Sequence, residues 1–182
     1  MTAILNELRH EHANIASVLA ALERQVRAFA RGEHPDYDLM QLAVEYCLDF
    51  PDLCHHPKED RIFSRLGLRD ANAAGEVGDL RAAHVKLNES LLSFATALRA
   101  VIEDQEISRA AFVHRAEAFL ALQRQHMAME EASFFPAAEK ALDAKDWQAV
   151  AAMPSPVTDP LKGKGGGERF DALQRDILAW EK

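Results

Sequence analysis

The chain has 182 residues, of which 48% are apolar and 27% charged, proportions typical of one soluble globular domain. The 29 acidic residues exceed the 21 basic ones, and the resulting charge of −8 disfavours binding to the phosphates of nucleic acids. No apolar run reaches the roughly 20 residues that a membrane span needs. We therefore expect neither a nucleic-acid partner nor a membrane-spanning segment, and we exclude a disordered chain.

Cysteine content and the N-terminal sequence predict the compartment. The two cysteines, Cys47 and Cys54, are too few for a disulfide framework or a cysteine zinc site, and we interpret both as inert helix residues. Residues 1–20 lack the basic and uninterrupted apolar regions of an export signal. These features predict a cytoplasmic protein.

Glycine and proline positions divide the chain into long helix-forming stretches. Stretches rich in Ala, Leu, Glu, Arg and Gln predict four helices over about residues 2–31, 38–66, 77–104 and 108–145, with Gly67 ending the second. No run of alternating β-branched and aromatic residues indicates a strand. The predicted fold class is all-α.

The composition changes after Trp147, where prolines and glycines predict a long irregular connection. A short amphipathic helix is predicted to follow over about residues 168–180 and to dock on the bundle. We therefore divide the chain into a bundle over residues 1–150 and a linker with a docking helix over residues 151–182. The apolar residues of the docking helix recur at helical spacing: Phe170, Leu173, Ile177 and Trp180.

Two of the eight histidines interrupt the apolar seams of predicted helices. In the first helix the seam skips one position between Leu8 and Ile15, and His12 occupies it. His84 fills the corresponding gap in the third helix. An imidazole therefore stands at core depth in two separate helices.

The second and fourth helices each carry a His-x-x-x-Glu pair on the predicted core side. The pairs are His55 with Glu59 and His126 with Glu130. Residues four positions apart on a helix project to nearly one point. All four helices thus contribute polar side chains at one depth of the core.

A buried group of four imidazoles and two carboxylates would cost several kcal/mol for each uncompensated charge. A metal ion removes this cost, and imidazole with carboxylate and no thiolate suits iron, zinc or manganese. Two carboxylates are what the bridging of two metal ions requires. The pattern predicts a dinuclear centre in a four-helix bundle, with the ligands His12, His55, Glu59, His84, His126 and Glu130.

Pro57 makes the helical projection least reliable beside the adjacent His55 and His56. A shifted register would pair His56 with Asp60 instead of His55 with Glu59, and we favour the second pairing. The other histidines fall outside the seams and are expected at the surface: His10, His34 and His114.

Four segments of the chain resemble the hemerythrin-like, or HHE cation-binding, family. They are residues 8–15, the His-His-Pro-Lys-Glu-Asp stretch at 55–60, residues 80–87, and residues 126–136, which end in Phe-Phe-Pro. The resemblance implies an up-down-up-down four-helix bundle that encloses two non-haem iron ions with an oxo or hydroxo bridge. By position, the ligands it implies fall on the six residues that the seams select.

The sequence departs from the oxygen-carrying hemerythrins at two places. Those proteins have a second histidine on the third helix, one turn from the first, where this chain has Leu80 and Asn88. They also use His-x-x-x-x-Asp on the fourth helix, where this chain has His126-x-x-x-Glu130. Simple reversible oxygen carriage is therefore not the function that the sequence favours.

The sequence favours a cytoplasmic di-iron protein that binds or senses a small gas, oxygen or nitric oxide. Apolar seam residues around the site suit a small neutral ligand better than a charged substrate. One alternative is a di-iron enzyme of oxidative or nitrosative stress defence or of iron-centre repair, with peroxidase, ferroxidase or NO-consuming activity. The other is a helical interaction module that binds zinc or no metal. The sequence does not identify a protein partner.

Overall fold

The computed structural model describes residues 2–152, 159–161, 170 and 173–175. Every regular element within these residues is a helix, which confirms the all-α prediction. None of the described helices is both long enough and apolar enough to cross a bilayer. The elements are α1 (Ala3–Ala30), α2 (Tyr37–Phe50), π1 (Pro51–His55), α3 (His56–Arg69), α4 (Ala71–Val77), α5 (Leu80–Ile102), α6 (Arg109–Met129), π2 (Glu130–Phe134), α7 (Phe135–Ala141) and α8 (Ala144–Ala151), where π1 and π2 are π-helical turns.

Four helical arms pack around one another. The first is α1, the second runs through α2, π1 and α3, the third is α5, and the fourth runs through α6, π2 and α7. α1 contacts α2 and α6, while α5 contacts α2, α3 and α6, so the arms close into a ring. The up-down-up-down path through this ring stays a prediction.

Short polar side chains begin the arms at defined residues. Asp36, Asp79 and Ser108 each accept a hydrogen bond from the backbone N–H three residues later, at the starts of α2, α5 and α6. Satisfying one of the otherwise unpaired N–H groups in this way stabilises a helix start by about 1 kcal/mol. These caps fix where α5 and α6 begin, and hence which of their residues turn inward.

Two predicted helix boundaries are wrong. The second arm continues through Gly67 to Arg69, because the buried Leu66 keeps the segment packed on the core. Asp70 then caps α4, in a stretch predicted as a loop. The fourth arm ends at Leu142, where the backbone becomes extended before α8 begins.

The apolar core consists of two clusters rather than one. α1 contributes to both, with Leu5 and Leu8 in one cluster and Ile15 and Leu19 in the other, and His12 stands between them. The larger cluster also contains Leu91, Phe94, Phe112 and Phe119, and the smaller one Ile62, Leu80, Phe134 and Phe135. A polar layer therefore divides the core at one level of the bundle.

The carboxylate of Asp159, which follows α8 in the sequence, forms hydrogen bonds to α1 and α2. Asp159 is 3% exposed, and its Oδ2 accepts a hydrogen bond of 2.7 Å from the side-chain amide of Asn14. Its Oδ1 accepts from the hydroxyl of Tyr46 at 3.2 Å and from the backbone N–H of Leu161 at 2.9 Å. This buried carboxylate is thus satisfied by neutral donors.

The apolar residues that follow Asp159 belong to the larger cluster. Leu161, Phe170 and Leu173 are all buried there. Ile177 and Trp180, the other two apolar residues of the predicted docking helix, lie outside the described residues. The division into a bundle over 1–150 and a tail over 151–182 stays a prediction.

We expect Asp159→Ala to lower the free energy of unfolding by about 2 kcal/mol, because it leaves the half-buried amide of Asn14 and the buried hydroxyl of Tyr46 without this acceptor. Urea denaturation followed by circular dichroism measures the change. Glu106→Ala, at an exposed acidic residue, is the matched control and should stay within about 0.5 kcal/mol of the parent protein. Equal losses in both variants would contradict the assigned role.

Candidate metal centre

The layer between the two clusters is built from seven buried polar side chains. Six of them are the residues predicted from the seams, and the seventh is His56. The carboxylates of Glu59 and Glu130 are fully buried, with 0% exposure. The seven residues are His12, His55, His56, Glu59, His84, His126 and Glu130.

The two π-helical turns lie at this layer and share one sequence arrangement. In π1 the N–H of His56 donates to the carbonyl of Pro51, five residues back, and in π2 Phe135 donates to Glu130 in the same way. A proline, Pro57 or Pro136, stands two residues past each turn. Proline has no N–H and its ring crowds the carbonyl four residues earlier, and the wider π turn relieves this conflict.

The turn at Pro57 explains why both adjacent histidines enter the layer. His55 and His56 precede Glu59 by four and three residues, and both positions lie on its face of the helix. His56 stacks on His84, with ring centroids 4.0 Å apart and planes 14° apart. His55 and His56 both lie near Glu59, whereas Asp60, the alternative partner considered for His56, lies outside both donor groups and faces Nδ1 of His84.

Glu59 places one oxygen on each side of the layer. Its Oε1 lies 3.2 Å from Nε2 of His55 and 3.7 Å from Nε2 of His12. Its Oε2 lies 3.5 Å from Nε2 of His84. The carboxylate thus spans two groups of imidazoles.

Glu130 repeats this arrangement from the fourth arm. Its Oε1 lies 2.9 Å from Nε2 of His126 and 3.7 Å from Nε2 of His84, while Oε2 lies 3.3 Å from Nε2 of His12. Donor atoms within 4.8 Å of one another form two groups that share Glu59: His56, Glu59, His84 and His126, and His12, His55, Glu59 and Glu130. Two carboxylates that each face both groups have the geometry of bridging ligands.

Many atoms of the layer are buried without hydrogen bonds. Both oxygens of Glu59 and of Glu130, and the Nε2 atoms of His12, His84 and His126, have no hydrogen-bond partner within the part of the chain that the structure describes. Buried polar atoms are normally paired, and an unpaired one costs about 1–3 kcal/mol. These atoms approach one another without hydrogen-bond geometry, as donors aimed at a common cation would.

The pKa values of the layer show the same demand for positive charge. Burial lowers the pKa of His12, but the adjacent Glu130 and Glu59 outweigh it and raise that pKa to about 9. The same opposition raises the pKa of His55 to about 10 and that of His84 to about 9. Burial and Glu59 raise the pKa of Glu130, yet the imidazoles lower it to about 2. The carboxylates are therefore stable as anions only beside cations, either protonated imidazoles or metal ions.

The outward-facing nitrogens of two imidazoles contact carboxylates in α1 and π2. Nδ1 of His55 lies 2.9 Å from Oε2 of Glu11, and Nδ1 of His12 lies 2.9 Å from Oε1 of Glu131. Each carboxylate pairs with a cation, since Lys58 donates to Glu11 at 2.5 Å and Arg9 donates to Glu131 at 3.1 Å. Such a contact fixes the ring orientation and leaves Nε2 free to bind a metal.

A third imidazole has a looser version of this support. Nδ1 of His84 lies 3.4 Å from Oδ1 of Asp60, whose Oδ2 lies 3.5 Å from Nε of Arg81. Sequence reasoning missed the roles of Glu11, Glu131 and Asp60. Glu11 is adjacent to His12 but contacts His55 on another arm, so only the packing of the arms reveals the pair.

The Glu11 contact can be tested by its effect on stability. Glu11→Ala removes the buried carboxylate that contacts both the half-buried Lys58 and the buried Nδ1 of His55, and we expect a loss of about 3 kcal/mol in the free energy of unfolding. Glu7→Ala is the matched control, because Glu7 contacts the same Lys58 from a half-exposed position and should contribute less than about 1 kcal/mol. Urea denaturation of both variants decides the point, and a larger loss in the control would contradict it.

Comparison with known proteins adds an independent observation. Neither the curated proteins nor the solved structures gave a match to this chain. The hemerythrin HHE cation-binding domain matches residues 3–138, a range that contains all seven residues of the layer. With three quarters of its length and its buried histidine and glutamate layer inside that match, the chain belongs to the hemerythrin HHE cation-binding family.

Proposed function

We propose that the protein is a cytoplasmic non-haem di-iron protein that binds or senses oxygen or nitric oxide at the polar layer. The observation that carries this proposal is the placement of Glu59 and Glu130, each of which has one oxygen toward each imidazole group. Imidazole and carboxylate donors without thiolate suit iron. Family membership supports cation binding at this position.

The two groups of donors differ in the number of imidazoles. His56, His84 and His126 would hold one iron ion, and His12 and His55 would hold the other, with both carboxylates shared. His56 would thus supply the imidazole that α5 lacks at Leu80 and Asn88. An oxo or hydroxo bridge would add one ligand to each ion.

An iron ion beside His12 and His55 would therefore have one imidazole fewer than an ion on the other side, and this is the side of the layer that we assign to the gas. Its surroundings are apolar on both sides, since Phe135 stacks on His12 at 5.4 Å and Phe50 lies 6.4 Å from the ring of His55. An apolar, buried site of this kind limits access of water and favours a small neutral ligand. When bound, iron would supply the reversible binding of the gas, while the protein residues orient the imidazoles and exclude solvent.

Metal analysis combined with optical spectroscopy tests the proposal. Protein expressed with sufficient iron should contain two iron ions per chain and show near-ultraviolet absorption that changes on addition of nitric oxide or azide. Glu130→Ala should lose both the second iron ion and the absorption, because it removes a shared carboxylate. Glu117→Ala, at an exposed position of α6, is the matched control and should retain them.

Two outcomes would contradict the proposal. Zinc in place of iron, or no metal at all, would favour the interaction-module alternative. Iron with steady consumption of peroxide or nitric oxide would favour the enzyme alternative.

The role of His56 has its own test. We expect His56→Ala to weaken the binding of the second iron ion about tenfold or more, since loss even of a group that only supports a ligand costs that much. His10→Ala, at an exposed histidine of α1, should bind iron as the parent protein does. Titration of the metal-free variants with ferrous iron under anaerobic conditions measures both affinities. An unchanged affinity in His56→Ala would limit the site to the six residues predicted from the sequence.

A further inference from the structure

A cavity whose polar lining is mainly arginine lies outside the polar layer; we call it the arginine cavity. It has a volume of about 180 Å³ and is bounded by α3, α5 and α8. The two short apolar side chains of α8 in its wall are Ala149 and Val150. Its polar lining consists of Asp60, Arg61, Ser64, Arg65 and Arg81.

The charge of this arginine cavity is opposite to that of the whole chain. Three guanidinium groups and one carboxylate line it, which leaves a surplus of two positive charges, whereas the chain has a net charge of −8. The hydroxyl of Ser64 donates to the backbone carbonyl of Asp60 at 2.7 Å, so the arginines are the groups with donors for an added anion. Guanidinium groups are the donors that recognise phosphate and similar oxyanions.

Two of the arginines are only loosely engaged by the protein. Nη1 of Arg65 lies 3.8 Å from Asp146, and Nε of Arg81 lies 3.5 Å from Asp60. Arg81 also reaches the hydroxyl of Ser64 at 3.4 Å. A guanidinium has five N–H donors, so these long contacts leave capacity for an added anion.

The neighbouring Arg69 differs from these two arginines because its guanidinium forms short hydrogen bonds to two carboxylates. Arg69 donates to Asp146 at 2.7 Å and to Asp143 at 2.6 Å, and these bonds tie α8 to the end of α3. They hold the α8 wall of the cavity in place. The cavity is thus preformed, while two of the arginines that face it keep unused donors.

The arginine cavity shares a wall with a cavity that reaches the polar layer. This second space, of about 280 Å³, is lined by His56 and His84 and also by Asp60 and Arg81. Asp60 contacts Arg81 through one oxygen and Nδ1 of His84 through the other, at 3.4 Å. The Arg81–Asp60 pair therefore stands between the arginine cavity and two histidines of the layer.

We propose that the arginine cavity binds a phosphate-class oxyanion, either inorganic phosphate or the phosphate group of a small monoester, and that this anion competes with Asp60 for Arg81. Binding itself requires no metal. Its consequence for His84 rests on the function proposed above. Asp60 without its cation would donate more electron density to the His84 ring, and the adjacent metal position would become harder to reduce.

Isothermal titration of the protein as isolated, at fixed ionic strength in chloride, tests the binding site. Inorganic phosphate and glycerol phosphate are the two probes, and tighter binding of either identifies the preferred source of the phosphate group. We expect Arg65→Gln and Arg81→Gln each to weaken binding about tenfold, as the loss of one charge-assisted contact does. Arg115→Gln, at an exposed arginine of α6, is the matched control and should bind as the parent protein does.

Absence of binding of both probes at millimolar concentration would overturn the site, as would equal affinities of the cavity variants and the control. Circular dichroism melts establish that the variants are folded. A protein that binds phosphate but takes up no iron when expressed with sufficient iron would support the cavity and contradict only the function proposed for the layer.

The coupling to the layer is measured on iron-loaded protein. Phosphate should shift the near-ultraviolet absorption and lower the reduction potential, and Asp60→Asn should abolish both effects while phosphate still binds. Because coupling between two sites is reciprocal, the phosphate affinity should also differ between ferric and ferrous protein. An unchanged spectrum, with equal affinities in the two states, would overturn the coupling.

Discussion

The structure depends on the cost of burying Glu59 and Glu130. Each carboxylate is fully buried between two apolar clusters, where an uncompensated charge is unfavourable by several kcal/mol. Four imidazoles face these carboxylates through Nε2, and three of the four contact outer carboxylates through Nδ1. A cation between the groups would satisfy the inner atoms, which gives a reason for a polar layer in the middle of the core.

The prolines of the second and fourth arms determine how those arms reach the layer. A proline inside a helix removes a donor and crowds a carbonyl, which ordinarily costs about 3 kcal/mol or more. Here the strain is confined to π1 and π2, both at the level of the ligating residues. The arms that contain them supply both carboxylates and three of the five imidazoles, whereas the straight α1 and α5 supply one imidazole each.

The sequence predicts six residues of the layer because each lies in a helical seam, where a missing leucine is visible without knowledge of the fold. The seam does not predict the inward position of His56, because the π-helical turn beside Pro57 changes the rotation of the helix there. The role of Glu11 is not predicted for a different reason: its contact with His55 joins two arms, so it has no regular spacing along the chain. The second arm extends past Gly67, where the sequence predicts its end, because the packing of Leu66 outweighs the low helix propensity of one glycine.

The supports of the imidazoles differ between the two sides of the layer. His55 and His12 are held at 2.9 Å by carboxylates that have close cations, and Glu11 is almost completely buried. His84 is held at 3.4 Å by Asp60, whose own cation is 3.5 Å away.

A rearrangement of the layer is therefore easiest where α5 meets α3, since fewer and longer contacts oppose it there. That boundary also carries the two cavities that share Asp60 and Arg81. A change in the layer would reach the protein surface along this side, while the closer contacts on the α1 side would hold the proposed gas-binding position constant.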